Sequence, residues 1–350
     1  MFFSSDNGSP AHQNVIDALI SANEGYATSY GDDRLTTAVR NQVRDIFEAP
    51  RAEVLLVGTG SAANVLGLSA HVQPWQTIYC HASSHIFMDE CNAPEFYTGG
   101  AKMTPLEGTD GKISADMLRS AISQTAQGDV HRVQRGAVSI TNLTESGTSY
   151  GPDEIQALAD IAHSFDLPLH LDGARFANAL VATNCTPAQA SWQAGVDILS
   201  FGGTKNGLIG VEAIVMFDPS KAWETALRRK RGGHLYSKHR YLAAQMQAYL
   251  ADGLWLQLAR QANTQATALS AGLATTSDVD LMYPVQGNMI FVRMPRILHR
   301  RVRAAGARYY FADAAASVDG PDDDLLDARL VCSWCTTPKD VDQFIANLSA

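Results

Sequence analysis

Asp172-Gly-Ala-Arg175 and Gly202-Gly-Thr-Lys205-Asn-Gly207 are the two stretches of this sequence that decide its fold. Each follows an apolar, strand-like run, residues 167–171 for the first and 196–200 for the second. Parallel strands end at the same edge of a sheet, and ligands bind at that edge. We therefore expect a carboxylate, a guanidinium and a glycine-flanked lysine to meet there.

These side chains are the ones that a pyridoxal phosphate enzyme requires. A lysine amine forms a Schiff base with the aldehyde of the cofactor. A carboxylate keeps the pyridine nitrogen protonated, so that the ring can accept the electrons of a carbanion at the α-carbon of an amino acid. The sequence therefore predicts pyridoxal 5'-phosphate as the cofactor, with Lys205 and Asp172 in these two roles.

The remaining pattern alternates strand-like and helix-like segments, which is typical of parallel strands joined by helical crossovers. The strand candidates are residues 53–57, 77–80, 136–140, 167–171, 197–200 and 213–217. Apolar spacing and start signals predict amphipathic helices after Asp33 and over residues 152–164. The early part of the chain is thus expected to form an α/β layer structure.

After residue 236 the alternation of strand-like and helix-like segments gives way to a long helical tract, and this change predicts two domains. Residues 1–236 would form an N-terminal segment and the large cofactor-binding α/β domain, and residues 237–350 a long helix and a small α+β domain. The helical tract is expected over 237–273, with an interruption near Gly253. The small domain is expected to contain strands at 289–293, 308–311 and 329–334, and helices at 298–305 and 338–348.

Composition limits the possible partners. With 350 residues, of which 46% are hydrophobic, the chain can bury a large core. The net charge of −9 and the lack of an extended Lys/Arg stripe argue against a nucleic-acid partner. With no apolar run of about 18 residues and no signal-peptide pattern, we expect a cytoplasmic protein without membrane contact.

The pair in Cys332-Ser-Trp-Cys335 lacks two further ligands, so we expect structural cysteines and no metal site.

A glycine turn, Gly58-Thr-Gly-Ser61, follows the first strand candidate. Its backbone N–H groups and the Ser61 hydroxyl, at the start of a helix, suit a phosphate. With Ala63, the same residues also fit the G-x-G-x-x-A pattern of a nicotinamide-dependent oxidoreductase, which stays an alternative. That pattern expects an acidic residue about 20 positions further on, whereas the sequence there reads Tyr79-Cys-His-Ala-Ser83.

Taken together, these motifs resemble the low-specificity L-threonine aldolase family, a branch of the fold type I pyridoxal phosphate enzymes. The resemblance covers nearly the whole chain. It rests on Ser5-Asp6-Asn7, Tyr30-Gly-Asp-Asp33, Gly60-Ser61 with Asn64, His85 with Glu90, Asp172-Gly-Ala-Arg-Phe176, Phe201-Gly-Gly-Thr-Lys-Asn-Gly207 and Arg329-Leu-Val-Cys-Ser-Trp334. It implies an α/β fold with a large domain, built on a mainly parallel seven-stranded sheet between helices, and a smaller C-terminal α+β domain.

The resemblance also implies a role for each candidate residue. Lys205 would carry the cofactor, Asp172 would pair with the pyridine nitrogen and Arg175 would approach the ring hydroxyl. Gly60 and Ser61 would hold the phosphate. His85 is implied to stack on the ring and is a candidate for moving the proton of the β-hydroxyl. The implied substrate-binding residues are Ser5 and Arg329 at the carboxylate and Tyr30 in the wall of the site.

The implied reaction is reversible retro-aldol cleavage of L-threonine, L-allo-threonine or related β-hydroxy-α-amino acids, phenylserine among them, to glycine and an aldehyde. A β-eliminating lyase using the same cofactor is an alternative. Members of the family form dimers or dimer-of-dimers tetramers, so we expect a homo-oligomer in which Arg228 or Arg231 reaches a neighbour's phosphate. Where many members have a second active-site histidine, this sequence has Thr144 and Glu145, which leaves the identity of the catalytic base open.

Overall fold

The computed structural model describes residues 1–349, and the larger of its two sheets has seven strands. These are β1 (Glu53–Val57), β2 (Gln76–His81), β3 (Lys102–Leu106), β4 (Gln134–Thr141), β5 (Leu169–Gly173), β6 (Ile198–Phe201) and β7 (Glu212–Met216). Their order across the sheet is β1, β7, β6, β5, β4, β2, β3. The predicted seven-stranded, mainly parallel sheet is confirmed, and the first predicted strand has the observed bounds.

One strand departs from the parallel arrangement that the alternating pattern predicts. β7 pairs antiparallel with both β1 and β6, whereas β2, β3, β4, β5 and β6 pair with one another in parallel. The connection from β6 to β7, residues 202–211, is shorter than the dozen or so residues that a parallel crossover requires. Because β7 runs in the opposite direction, its first residue, Glu212, lies at the edge where the other strands end.

Helices bury both faces of this sheet, and those at residues 296–304 and 338–349 pack with the smaller sheet instead. The helices are α1 (Gln13–Ala22), α2 (Arg34–Ile46), α3 (Gly60–Ser69), α4 (His85–Met88), α5 (Ala93–Thr98), α6 (Ala115–Gln124), α7 (Pro152–His163), α8 (Phe176–Thr183), α9 (Ala222–Arg231), α10 (Arg240–Leu250), α11 (Leu254–Ala274), α12 (Arg296–Ala304) and α13 (Pro338–Ser349). Along β1, Val54 and Leu56 belong to one apolar cluster, and Leu55 and Val57 to another. This alternation is the mark of a strand between two helical layers.

The helix boundaries follow local signals in the sequence. Asp33 caps α2, since its Oδ1 accepts a hydrogen bond from the backbone N–H of Thr36 at 2.9 Å. α7 begins at Pro152, a residue that suits the first turn of a helix. The predicted break in the long helical tract separates α10 from α11, where Gly253 has a φ of 68°. Among residues 1–349, no helix combines the length and the apolar composition needed to cross a membrane.

A second, antiparallel sheet forms the smaller α+β part of the chain. Its strands, in the order β10, β11, β9, β8, are β8 (Asp280–Leu281), β9 (Met289–Pro295), β10 (Tyr310–Phe311) and β11 (Leu325–Val331). The last strand begins earlier than predicted and ends before Cys332. Prediction missed β8, which has two exposed residues, and β3, which contains Pro105 and lies at an edge of the large sheet where proline is tolerated.

Each sheet has apolar clusters of its own. The core of the small sheet includes Leu269 and Leu273 near the end of α11, and also Phe3 from the start of the chain. α10 and the first turns of α11, including Trp255, pack with the core of the large sheet instead. The division of the chain at residue 236 stays a prediction.

Candidate active site

A cavity of about 380 Å³ opens at the carboxyl edge of the large sheet. The segments around it follow β1, β2, β4, β5 and β6, together with the first residue of β7. Six of the predicted site residues line it: Gly60, Ser61, His85, Asp172, Arg175 and Lys205. Residues separated by more than a hundred positions in sequence therefore meet at one site, because the strands that precede them end at one edge.

Asp172 lies near the end of β5 and is 4% exposed. Its Oδ2 accepts a hydrogen bond from Asn64 Nδ2 at 2.9 Å, and its Oδ1 accepts one from the backbone N–H of Ala174 at 3.0 Å. The Asn64 amide also donates to Glu90 Oε1 at 2.9 Å. The Asp172 carboxylate is thus buried, and hydrogen bonds from α3 and from the turn after β5 fix its orientation.

His85 begins the short helix that follows β2, and Glu90 orients its ring. The two side chains meet at 2.9 Å between His85 Nδ1 and Glu90 Oε1. This hydrogen bond raises the pKa of the His85 imidazole, against the opposing effect of its partial burial. One network therefore connects His85, Glu90, Asn64 and Asp172.

Lys205 lies in the tight turn after β6, and its backbone is fixed from both sides. The Glu212 carboxylate accepts hydrogen bonds from the N–H groups of Gly203 at 2.6 Å and Thr204 at 3.3 Å. On the other side, Asn206 Nδ2 donates to Tyr249 Oη and to the Trp255 carbonyl, both at 2.8 Å. Burial raises the pKa of Glu212 to about 7.

Close packing explains the first glycine of this motif. A Cβ at Gly202 would lie 2.5 Å from the carbonyl oxygen of Ala174. The absence of a side chain allows the turn that carries Lys205 to pack directly against the turn that follows Asp172. The motif that contains Asp172 and the motif that contains Lys205 are therefore in backbone contact.

The start of α3 and the turn before Lys205 leave room for a phosphate. The first N–H groups of a helix have no acceptor within the helix, and here they belong to Gly60 and Ser61. A Cβ added at Gly60 would meet no atom within 4 Å, so the backbone is open to a ligand. Facing the same cavity, the buried Thr204 Oγ1 has no hydrogen-bond partner in the described chain. With a lysine amine and a buried carboxylate nearby, these groups fit pyridoxal phosphate.

Arg175 forms a buried ion pair that connects the N-terminal segment to the site. Its Nε and one Nη donate to the two Asp6 oxygens at 2.7 and 2.9 Å, and Asn288 Nδ2 donates to Asp6 at 3.0 Å. Burial opposes the ionisation of Asp6, but the charge and hydrogen bonds of Arg175 outweigh it and hold the pKa of Asp6 below its usual value. Asn7, the next residue, lines the cavity.

The structure does not place the three predicted substrate-binding residues in the lining of this cavity. Ser5 Oγ accepts a hydrogen bond from the Asn7 backbone N–H at 3.2 Å. Tyr30 is 45% exposed, and its ring lies 4.5 Å from Lys230 Nζ. Arg329, on β11, lines an adjoining groove of about 630 Å³.

The groove and the cavity share one residue, Glu145, which lines both. The buried Nε of Arg329 has no hydrogen-bond partner within residues 1–349. Burial lowers the pKa of the Arg329 guanidinium, and the nearby Arg175 charge adds to this effect. Arg329 thus lies beside the cavity with part of its guanidinium available to an anion.

Sequence reasoning assigned no role to several residues that the structure brings to this site. Asn64 is marked only by the family resemblance, and the sequence predicts no role for Glu212. Thr204 has a local signal, because it directly precedes the lysine. Glu212 has only a weak one, as a lone acidic residue at the start of an apolar strand.

Comparisons with known proteins identify the family of this chain. The beta-eliminating lyase family model matches residues 3–295. A low specificity L-threonine aldolase from Pseudomonas sp. (strain NCIMB 10558) is 36% identical over 99% of this chain and 97% of its own length. One from Pseudomonas aeruginosa is 38% identical over 95% of this chain and 93% of its own length. The solved structure of a Leishmania major threonine aldolase matches with a TM-score of 0.91 at 25% identity, and the match covers 99% of this chain and 98% of that one.

These matches confirm the resemblance read from the motifs. They give no support to the alternative in which the Gly58 turn binds a nicotinamide dinucleotide. Enzymes of the matched family depend on pyridoxal phosphate, so the predicted cofactor is confirmed. The chain belongs to the beta-eliminating lyase family and, within it, to the low-specificity L-threonine aldolases.

Proposed function

We propose that this enzyme cleaves L-threonine, L-allo-threonine or related β-hydroxy-α-amino acids reversibly to glycine and an aldehyde. The observation that carries the proposal is that Lys205 and Asp172 line one cavity, next to the open helix start at Gly60. The names of the two Pseudomonas relatives support the substrate class. Phenylserine remains among the proposed substrates.

Six lining residues, Arg175 among them, would hold the cofactor. Lys205 Nζ would take its aldehyde carbon, and Asp172 would pair with its pyridine nitrogen. The N–H groups at Gly60 and Ser61 would bind its phosphate, and His85 would stack on its ring. When bound, pyridoxal phosphate accepts the electron pair that stays on the α-carbon as the Cα–Cβ bond breaks.

The network around these residues supports the proposed roles through preorganisation. Asn64 and the Ala174 N–H hold the Asp172 carboxylate in place before any ligand arrives. Glu212 does the same for the turn that carries Lys205. Groups that are fixed in advance need not reorganise during the reaction, which lowers its barrier. Arg175 would approach the ring hydroxyl from its pair with Asp6.

We further propose that Arg329, Ser5 and Tyr30 receive the substrate. The planar guanidinium of Arg329 suits a carboxylate, because two parallel N–H groups can bind both of its oxygens. Its partnerless Nε and its position beside the cavity support this role. Binding the carboxylate also fixes the orientation of the groups on the α-carbon. This orientation selects which bond of the α-carbon breaks.

Replacement of the lysine tests the proposal. In Lys205→Ala we expect loss of the visible absorbance of the bound cofactor and loss of nearly all glycine formation from threonine, because the amine that holds the cofactor is gone. Lys102→Ala, an exposed lysine on the edge strand β3, serves as the matched control and should keep both. Retention of full absorbance and turnover in Lys205→Ala would contradict the assignment.

A second candidate reaction is β-elimination, which the name of the matched family favours. It would release ammonia and a 2-oxo acid instead of glycine and an aldehyde. Measuring all four products from threonine and serine separates the two reactions. We expect glycine and acetaldehyde in equal amounts from threonine, and a preponderance of ammonia would favour elimination.

We also propose a cytoplasmic homo-oligomer, either a dimer or a dimer of dimers. Phe96 and Leu227 border one surface groove and are 80% and 51% exposed in the single chain, which suits an interface. Arg228 and Arg231 line the same groove, as expected if one of them reaches a neighbour's site. All five cysteines are free thiols, which suits a reducing compartment. Light scattering should give two or four times the chain mass of 37.7 kDa.

A further inference from the structure

Four carboxylates line the cavity, and hydrogen bonds already hold three of them. Asp172 is bound by Asn64 and Ala174, Glu90 by Asn64 and His85, and Glu212 by two backbone N–H groups. The fourth, Glu145, is half-buried and makes no side-chain hydrogen bond within the described chain. It is therefore the one lining carboxylate with both oxygens available to a ligand.

The loop after β4 holds Glu145 in this position. Its neighbour Thr144 is 1% exposed, and Thr144 Oγ1 bonds Thr148 Oγ1 at 2.7 Å and the Asp110 carbonyl at 3.2 Å. The backbone N–H groups of Ser146 and Gly147 also bond back to Thr144. Of Thr144 and Glu145, which stand where many family members have a second histidine, only Glu145 lines the cavity.

Charged groups from several elements face Glu145. Lys205, Arg175 and Arg329 bring positive charge, and Asp172 and His85 also lie near it. His81, Asp89 and Glu107 line the groove that Glu145 borders. Glu145 also lies between the cavity with Lys205 and the groove with Arg329. A β-hydroxy-α-amino acid bound by its amine near Lys205 and by its carboxylate at Arg329 would lie against Glu145.

We propose that Glu145 is the general base for the β-hydroxyl of the substrate, an inference that rests on the function proposed above. In the cleavage direction the O–H bond breaks and its proton moves to a Glu145 oxygen. The hydroxyl oxygen becomes the aldehyde carbonyl as the Cα–Cβ bond breaks, and the electron pair of that bond stays with the α-carbon. That carbon then takes a proton from solvent to give glycine, and Glu145 releases to solvent the proton that it took, so that no proton is gained or lost. In the condensation direction Glu145 returns its proton to the new hydroxyl.

His85 is the competing base, and its surroundings argue against it. Its Nδ1 is occupied by Glu90, and that hydrogen bond raises the pKa of the ring, which favours the protonated form that cannot accept a proton. Burial raises the pKa of Glu145 as well, although Lys205 and Arg175 oppose the shift. A carboxylate with a raised pKa is a stronger base than an ordinary one, which suits the removal of a hydroxyl proton.

The test compares Glu145→Gln with wild type in two reactions that share the cofactor and differ in the β-hydroxyl. We expect kcat for threonine cleavage to fall about 10²- to 10⁴-fold, the usual contribution of a general base. Exchange of the α-hydrogens of glycine with D₂O, followed by NMR, should continue, because glycine has no β-hydroxyl. The change in cofactor absorbance on adding glycine should also be retained. Glu48→Gln, at an exposed acid that lines neither the cavity nor the groove, is the control and should leave both reactions unchanged.

The pH profile provides a second readout. Activity that needs the ionised carboxylate should decline as the pH falls through the pKa of Glu145, and this acidic limb should be absent from the residual activity of Glu145→Gln. Glu145→Asp should recover part of the cleavage rate and, with it, the decline of activity at acidic pH. The proposal is wrong if Glu145→Gln cleaves threonine within about tenfold of wild type. It is equally wrong if glycine exchange and cofactor binding fall in proportion to cleavage. A wild-type enzyme that forms no aldehyde would overturn both this proposal and the proposed function.

Discussion

At the residue scale, Glu90 shows how one buried side chain controls the state of another. It accepts hydrogen bonds from His85 and Asn64. Glu90 therefore connects His85, which is proposed to stack on the ring, with the amide that holds Asp172. Because the pKa of His85 is raised in the folded chain above its ordinary value of 6.5, the pair contributes its full stabilisation below that value. The contribution is lost as the pH rises through the folded-state pKa.

We predict that Glu90→Gln lowers the pKa of His85, because the neutral amide no longer favours the imidazolium ion. NMR titration of histidine-labelled protein measures this directly, and a His85→Asn sample assigns the signal. The stability difference between wild type and Glu90→Gln should be larger at pH 6 than at pH 9.

His163 provides an internal control in the same spectra. A hydrogen bond to Asp197, 2.9 Å long and outside the lining of the cavity, raises the pKa of His163 as well. Its titration should be unchanged in Glu90→Gln. A His85 titration that also stays in place would show that Glu90 is not responsible for the shift.

At the scale of the secondary-structure element, the start of α3 has two functions at once. Thr59 caps the helix, with its Oγ1 accepting from the Ala62 N–H at 3.1 Å, and it also lines the cavity. The cap holds the first turn, whose free N–H groups are the proposed phosphate site. Stability and cofactor binding should therefore depend on the same hydroxyl.

We predict that Thr59→Ala lowers the free energy of unfolding by about 1 kcal/mol, the usual loss for an N-cap. We also expect it to weaken pyridoxal phosphate binding, because the first turn of α3 loses its anchor. Denaturant unfolding and an absorbance titration with the cofactor measure the two effects.

Ser114 is the matched control at another helix. Its Oγ caps α6 by accepting from the Met117 N–H at 3.2 Å, and it does not line the cavity. Ser114→Ala should cost a similar stability and leave cofactor affinity unchanged. Equal losses of affinity in both variants would mean that general destabilisation, and not the α3 cap, weakens binding.

At the scale of the whole molecule, the N-terminal segment joins the small sheet to the site. The Phe3 N–H donates to the Arg308 carbonyl at 2.7 Å, and the Phe3 carbonyl accepts from the Val331 N–H at 2.9 Å. Its ring is fully buried in the core of the small sheet. Asp6 and Asn7 follow within four positions, so the packing of Phe3 determines where they lie.

We predict that Phe3→Ala lowers the free energy of unfolding by about 3–5 kcal/mol, the range for removing a buried aromatic ring. It should also reduce kcat/KM by up to about 100-fold, because displacement of Asp6 releases Arg175 from its position. Urea denaturation and steady-state kinetics with threonine provide the two measurements.

The adjacent Phe2 is 53% exposed and serves as the control. Phe2→Ala should change stability by about 0.5 kcal/mol, as is usual for a surface position, and should leave the kinetics unchanged. If Phe3→Ala lost stability but kept wild-type kcat/KM, the segment would have no part in positioning the site.

The sequence by itself determined the local elements and the type of chemistry. The bounds of β1, the Asp33 cap of α2 and the break at Gly253 all follow from signals within a few residues. The motifs around Asp172 and Lys205 are equally local. They predicted the cofactor and, together with the other motifs of the resemblance, the family. Apolar runs, caps and glycine turns act over short distances along the chain, which is why the sequence alone reveals them.

Only the tertiary structure decided which distant residues share the site. The reversed direction of β7 brings Glu212 to the lysine turn, and the packing of Phe3 brings Asp6 to Arg175. That Glu145 lines the cavity and Thr144 does not also depends on which side chain the loop after β4 turns toward it. These are contacts between segments far apart in sequence, and they depend on strand order, direction and core packing, for which no short stretch of residues carries a signal.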